Sequence, residues 1–266
     1  MGRMGTIVGL LCLMAVGSQA LVGQQAPPPL PVEEIIRRFA AKETEFKKAR
    51  DNYAYKQSVH VREFDAFGHA GGEFRRTSEI IFSPGGKRYE RATYEPPSTL
   101  KMVSLSREDI EDLENIQPFV LTTEDLPKYR LEYRGREHVD EIDAYVFQVT
   151  PQRIERGQRY FEGLIWVDDL DLQIVKTYGK AVPDIRRGKQ ENLFPRFETY
   201  RENIDGKYWF PTYTRADDVL RFSHDEVRVR MAIRYSEYKQ FKATVKIIPI
   251  EPTKPEQTKP PRPPQE

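Results

Sequence analysis

The sequence predicts a mainly β protein with helices: a large curved antiparallel sheet together with an N-terminal helix and short helices. Three observations carry this expectation. After Asn52 almost every segment alternates apolar and polar residues with period two, the spacing of a half-buried strand. Residues 32–50 instead repeat with helical spacing. Many of the alternating runs are joined by short turn sequences, which makes neighbouring strands antiparallel. A single helix of this length spans only about 28 Å, so it covers much of such a sheet's inner face but not all of it. Other helices, a second sheet or a bound apolar molecule must cover the rest.

In the helical stretch Val32, Ile35, Ile36 and Phe39 share a face that Phe46 extends, while Glu33, Arg37, Arg38, Lys47 and Lys48 point elsewhere. Pro31 can open this helix, where its missing N–H costs nothing. Tyr53, Tyr55, Val59 and Val61 mark a first strand, and GGEFRRTSEIIFSPGGKRYERATYE reads as two more around Pro84-Gly85-Gly86. The interruption SREDIEDLEN reads as a brief helix, with Ser106 as its cap, Asp109 three residues on, and Ile110 and Leu113 facing inward. Thr122 or Thr123 caps a shorter turn before Pro127.

Strands resume as KYRLEYRG, IDAYVFQVT, RYFEGLIWVD, DLQIVKTYG, RFETYRENI and KYWFPTYTR, with Asp205-Gly206 signalling a two-residue hairpin between the last two. In the run from Val227 to Tyr235, the residues Val227, Val229, Met231, Ile233 and Tyr235 occupy one face. Arg228, Arg230 and Arg234 occupy the other, with Ala232 between them. A last strand ends near Ile250, and no internal repeat of fixed period is visible.

The two ends read differently. Arg3, the apolar run Ile7–Val16 and Ser18-Gln19-Ala20 have the layout of a secretory signal peptide over residues 1–20, which predicts an exported protein. Its apolar run is too short for a membrane span. The only cysteine, Cys12, lies inside that run behind Leu11, a poor context for lipidation, so the processed chain has no disulfide to rely on. Residues 21–31 form a Pro-rich leader, residues 32–250 a single domain, and residues 251–266, with six prolines, an extended solvated tail.

Composition and motifs exclude more chemistry than they suggest. Lys and Arg number 42 against 41 Asp and Glu, well interspersed, which argues against nucleic acid as the main partner. His60, His69, His138 and His224 form no short metal-binding pair. Asp168, Asp169 and Asp171 sit at a hairpin turn, where aspartates serve the backbone, and lack the regular oxygen spacing of a calcium loop. No G-x-S-x-G elbow and no phosphate-binding glycine loop is present. The expectation is a non-enzyme with no cofactor and no metal.

Aromatic residues stand out instead. Tyr160, Leu164 and Trp166 point one way from their strand; Phe161, Ile165 and Val167 point the other, with Gly163 among them. Both faces are thus apolar. Tyr208, Trp209, Phe210 and Tyr213 repeat the theme around Pro211. Core packing accounts for most of them, and a minority lining a concave groove would bind an acyl chain.

The stretch YFEGLIWVDDLDLQIVKTYG resembles the signature hairpin of outer-membrane lipoprotein-sorting proteins, the LolA/LolB-like superfamily, through Gly163, Trp166, Val167, Asp168, Ile174 and Val175. The order of signal peptide, amphipathic helix and antiparallel meander is similar too, and DGKYWFPTYT resembles a hairpin of more distant members. The resemblance covers roughly residues 32–250. It implies an unclosed barrel whose apolar concave face receives lipid, in a family that carries or inserts lipoproteins or senses envelope signals. The family's functional arginine has no identifiable counterpart here.

The expected function is therefore a periplasmic carrier or chaperone of a lipid or acylated lipoprotein, with ligand-binding residues Phe161, Trp166, Tyr208 and Phe210. Peripheral membrane contact fits that reading. The alternative is an envelope protein-binding or sensing scaffold without bound lipid; a tightly filled core would favour it.

Overall fold

In the computed structural model, which describes residues 28–83, 87–187 and 190–240, the alternating runs build one ten-stranded antiparallel sheet. Its strands are β1 (Tyr53–Phe64), β2 (Ala70–Phe82), β3 (Arg88–Tyr94), β4 (Tyr129–Val139), β5 (Ile142–Pro151), β6 (Tyr160–Asp168) and β7 (Ile174–Val182), followed after a small hairpin by three more. That hairpin pairs β8 (Ile185–Arg187) with β9 (Gln190–Asn192); the sheet then continues with β10 (Phe197–Asn203), β11 (Trp209–Arg221) and β12 (Glu226–Gln240). The spatial order is β3-β2-β1-β12-β11-β10-β7-β6-β5-β4. Among the described residues β3 and β4 have no further strand beside them, so the sheet is a half-barrel rather than a closed one.

Two helices occupy the concave side. α1 (Val32–Arg50) buries Ile35, Phe39, Ala40, Glu43 and Phe46, the stripe that its 3.6-residue period dictates. Pro31 is its N-cap, and the carbonyl of Pro31 accepts the N–H groups of Glu34 and Ile35. α2 (Arg107–Asn115) starts with the expected capping box: Ser106 Oγ accepts the Asp109 N–H at 3.2 Å while Asp109 accepts the Ser106 N–H at 2.7 Å. Leu113 is buried and Ile110 half-buried. The turn before Pro127 is a short 3-10 helix, Leu126–Lys128, held by Thr122 and Asp125.

One contiguous core joins these helices to inward residues of strands from both ends of the sheet, among them Phe74 of β2, Val61 of β1, Ile233 of β12 and Phe147 of β5. The alternation in β6 places Phe161, Ile165 and Val167 inward and Trp166 outward as read, whereas Tyr160, expected on the Trp166 face, joins the main core beside Tyr129. Gly163 lies opposite Gly179 of β7, and a Cβ there would fall 2.2 Å from the Tyr178 carbonyl oxygen. This close approach is open only to glycine.

The structure corrects one expectation. The connection from β10 to β11 is not a two-residue hairpin but spans residues 204–208, because Asp205 Oδ1 accepts the N–H groups of both Lys207 and Tyr208 and its other oxygen takes the Tyr53 hydroxyl. That side-chain turn replaces strand pairing. The signal peptide, Cys12, the Pro84-Gly85-Gly86 turn, the last strand near Ile250 and the proline-rich tail lie outside the described residues.

Candidate functional site

The concave face is filled from within. Phe39 meets Phe147 with ring centroids 5.6 Å apart, and Phe46 meets Phe210 edge-on at 5.2 Å. Phe119, from the connection after α2, stacks on Phe161 at 4.4 Å. Phe161 and Phe210 are both fully buried, engaged in seating α1 and that connection. Tyr208 is half-buried in the β10–β11 turn, 6.2 Å from the Phe46 ring.

Trp166 faces the opposite, convex side. Its Nε1–H donates to Glu137 at 2.8 Å, and the Lys176 ammonium lies 4.7 Å from its ring. A register slip opposite Trp166–Val167 lets both Val175 and Lys176 meet this ring. The four sequence-derived positions therefore fall in three places. Tyr208 and Phe210 come together around Phe46, Phe161 sits in the main core, and Trp166 anchors an apolar patch outside.

Sequence reading missed the polar centre of the interior. Arg201 of β10 donates from one guanidinium nitrogen to both carboxylate oxygens of Glu43, at 3.0 and 3.2 Å, and from another to the Phe119 carbonyl. Neither side chain exceeds 1% exposure. The Ile174 N–H completes the Glu43 shell at 3.2 Å. Burial pushes the Glu43 carboxyl up, against the pull of Arg201 and that N–H. The pair ties α1, the connection after α2, β7 and β10 together. Its signal was present: Glu43 follows Phe39 by four residues and precedes Phe46 by three, so it must share their face.

A cavity of about 70 Å³ remains under α2, walled by Val61, Leu113, Phe197, Leu220 and Met231. Gln117 also lines it, with 6% of its surface exposed and its Oε1 without a hydrogen-bond partner. α2 is pinned over this space by acidic residues. Asp109 accepts from Asn192 at 3.2 Å, and Asp112 takes the Arg159 guanidinium at 2.8 and 3.3 Å, which in turn lies 3.5 Å over the Phe194 ring.

Burial pushes the Asp112 carboxyl up to about 6 from the ordinary 3.8, only partly offset by Arg159. The folded chain thus holds this proton more tightly than the unfolded one. The resulting stabilisation is complete below pH 3.8 and is lost as pH rises through about 6, a change of up to about 3 kcal/mol. Urea unfolding at pH 4.5 and pH 7 should show Asp112→Asn with a smaller loss between the two than the parent chain; equal losses would contradict it.

Two wider concavities lie at the surface. A cleft of about 820 Å³ opens between the ends of α1 and α2 and the β5–β6 loop, rimmed by Lys47, Arg50, Lys128 and Arg153 together with Glu114 and Asp125, the last paired with Lys128 at 2.7 Å. A groove of about 500 Å³ crosses the convex face from Tyr178 of β7 to His60 and Arg62 of β1. Phe161, Trp166, Tyr208 and Phe210 line neither of these, nor the cavity under α2. Asp168 accepts the Asp171 N–H at 2.9 Å, Asp169 pairs with Arg136, and Asp171 accepts from Trp209 at 3.1 Å, so this trio serves the turn. Among the described residues no three His, Cys, Asp or Glu side chains converge to hold a metal ion.

No family model matches the chain, and no curated protein matches it. Solved structures do. A DUF1329 family protein from Desulfovibrio piger is 18% identical with a TM-score of 0.40, over 79% of this chain and 93% of that one. A LolA superfamily protein from Nitrosomonas europaea is 14% identical with a TM-score of 0.34, over 76% and 94%. The Pseudomonas aeruginosa MucA/MucB complex is 12% identical with a TM-score of 0.22, over 73% and 93%.

Proposed function

We propose that this chain is a non-catalytic scaffold of the bacterial envelope, working in the periplasm and binding a protein partner through its surface, with residues 32–250 as its single domain. The filled concave face is the observation that carries this reading. Five phenylalanines, Phe39, Phe46, Phe119, Phe147 and Phe161, and the Glu43–Arg201 pair occupy the space that an acyl chain would need. The remaining cavity of about 70 Å³ is smaller than the ~150 Å³ that accepts a benzene molecule and far below the ~300 Å³ at which ligand pockets begin. The larger concavities have charged rims and suit polar groups.

The periplasmic setting is supported by the signal-peptide layout of residues 1–20 together with the resemblance of the β6–β7 hairpin. A lipid or lipoprotein carrier is the second reading, favoured by the apolar lining of the cavity under α2. It requires α2 to lift, breaking the Asp112–Arg159 pair.

Calorimetric titration with a myristoylated ten-residue peptide and its unacylated counterpart separates the two readings. The scaffold reading predicts equal, weak heats for both peptides. Binding that is at least tenfold tighter for the acylated peptide would overturn it in favour of the carrier.

A further inference from the structure

The convex face has a feature that core packing does not require. On β12 the outward positions Arg230, Ala232 and Arg234 place a methyl group between two guanidinium groups. Strand register sets Arg215 of β11 and His60 of β1 directly opposite Ala232, and Arg62 opposite Arg230. Directly opposed residues lie about 5 Å apart and diagonal ones about 7–8 Å. Ala232 is therefore the floor of a pit within the 500 Å³ groove, with Arg62, Arg215, Arg230, His60 and Asp217 around it and Arg234 next along its strand.

Three of the carboxylates nearby are already shared between cations, and Asp218, which also lines the groove, accepts the N–H groups of Arg196 and Val219. Asp217 takes both Arg228 and Arg230, Glu198 takes Lys176 and Arg215, and Glu73 takes His60 and Arg75. Among the described residues Arg62 and Arg234 form no ion pair: Arg62 lies 5.6 Å from the Phe64 ring with Glu73 opposite it in the strand register, and Arg234 lies 5.8 Å from the Tyr213 ring. The patch thus carries a standing excess of guanidinium donors, each suited to bidentate carboxylate recognition. Tyr178, 42% exposed, closes one end of the groove and Tyr213 lines its side.

We infer that this groove is the docking site for an extended acidic peptide segment of a partner protein, whose carboxylates seat around Ala232. The inference rests on the scaffold reading and names the surface it would use. The shape favours a peptide over a single anion. The groove crosses five strands, four spacings of about 4.8 Å, which an extended segment of about six residues spans. The excess of positive charge is spread along that length, and the recessed pit on a convex sheet suits a narrow chain better than a flat lipid surface.

The test uses a fluorescein-labelled ten-residue peptide of alternating Glu and Thr, its Gln–Thr counterpart, and vesicles of phosphatidylglycerol. Anisotropy titration should show the Glu peptide binding at least tenfold tighter than the Gln peptide. Ala232→Glu, which places an acid on the pit floor, should weaken the Glu peptide at least tenfold, whereas Ala232→Gln, of equal bulk, should stay within about threefold of the parent chain. Circular dichroism melts of both variants control for folding. Equal binding of the two peptides, or indifference to Ala232→Glu in a folded variant, would overturn the inference. So would vesicle binding that Ala232→Glu abolishes while the peptide fails to bind. An envelope protein that co-purifies equally with the parent chain and Ala232→Glu would leave the scaffold reading standing and sink this surface alone.

Discussion

Replacing Glu43 by alanine should cost about 3–5 kcal/mol of unfolding free energy, the loss expected when one partner of a buried ion pair is removed. Arg201 would then be left 1% exposed with its charge facing Phe46 and the Phe119 carbonyl. Arg201→Met should cost a similar amount, because Glu43 would keep only the Ile174 N–H. The double variant Glu43→Leu/Arg201→Met should recover most of the loss, since apolar replacement of a whole buried pair is often neutral. Urea unfolding of the two singles and the double closes the cycle. Additive losses would show that the two residues act independently, and the interior would need another explanation.

Glu63 is the second position of large effect. One of its carboxylate oxygens accepts the N–H groups of Gly72 and Lys101, at 2.9 and 2.7 Å, and the other accepts those of Met102 and Val103, at 2.9 and 3.0 Å. One carboxylate thereby fastens the segment leading into α2 onto β1 and β2. Glu63→Gln would turn an amide NH2 toward two of these donors, and about 3 kcal/mol should be lost.

Burial alone would push the Glu63 carboxyl up, but the four N–H groups outweigh it and hold it below the ordinary value of 4.5. A depressed folded value gives stability that is present above pH 4.5 and lost as pH falls through the folded value. The gap between parent and Glu63→Gln should therefore be widest near neutrality and narrow in acid. Hydrogen exchange at Lys101, Met102 and Val103 should accelerate in the variant. Unchanged protection there would contradict the assignment.

What could be read from the sequence is what depends on near neighbours. The α1 stripe, the facing of β6 from Phe161 to Val167 and the Ser106–Asp109 box are set by residues within one or two turns, and all three are present in the structure. The β10–β11 turn was misjudged because Asp205 spends its side chain on local N–H groups and on Tyr53, 152 positions away.

Glu43, Glu63 and Arg201 were passed over because charged residues were assigned outward by default. Yet Glu63 continues the inward phase of Val59 and Val61, and Arg201 that of Phe197 and Thr199. Their phase was legible. Their partners were not, since Glu43 and Arg201 are separated by 158 residues and only the folded sheet brings them together. The same holds for the pit at Ala232. The sequence displayed its arginines on one strand, while Arg62 and Arg215 joined them through register.

Whether the half-barrel is filled by its own side chains or emptied to take an acyl chain is the point on which the functional reading turns. Native mass spectrometry of the processed chain, recovered from a periplasm and followed by lipid extraction, addresses it most directly. A filled interior predicts the mass of the bare polypeptide, unchanged after incubation with phospholipid or acylated peptide. A stoichiometric acyl-bearing adduct, lost when the core residues Phe161 and Leu113 are replaced by serine in a variant that still folds, would contradict the account and restore the carrier.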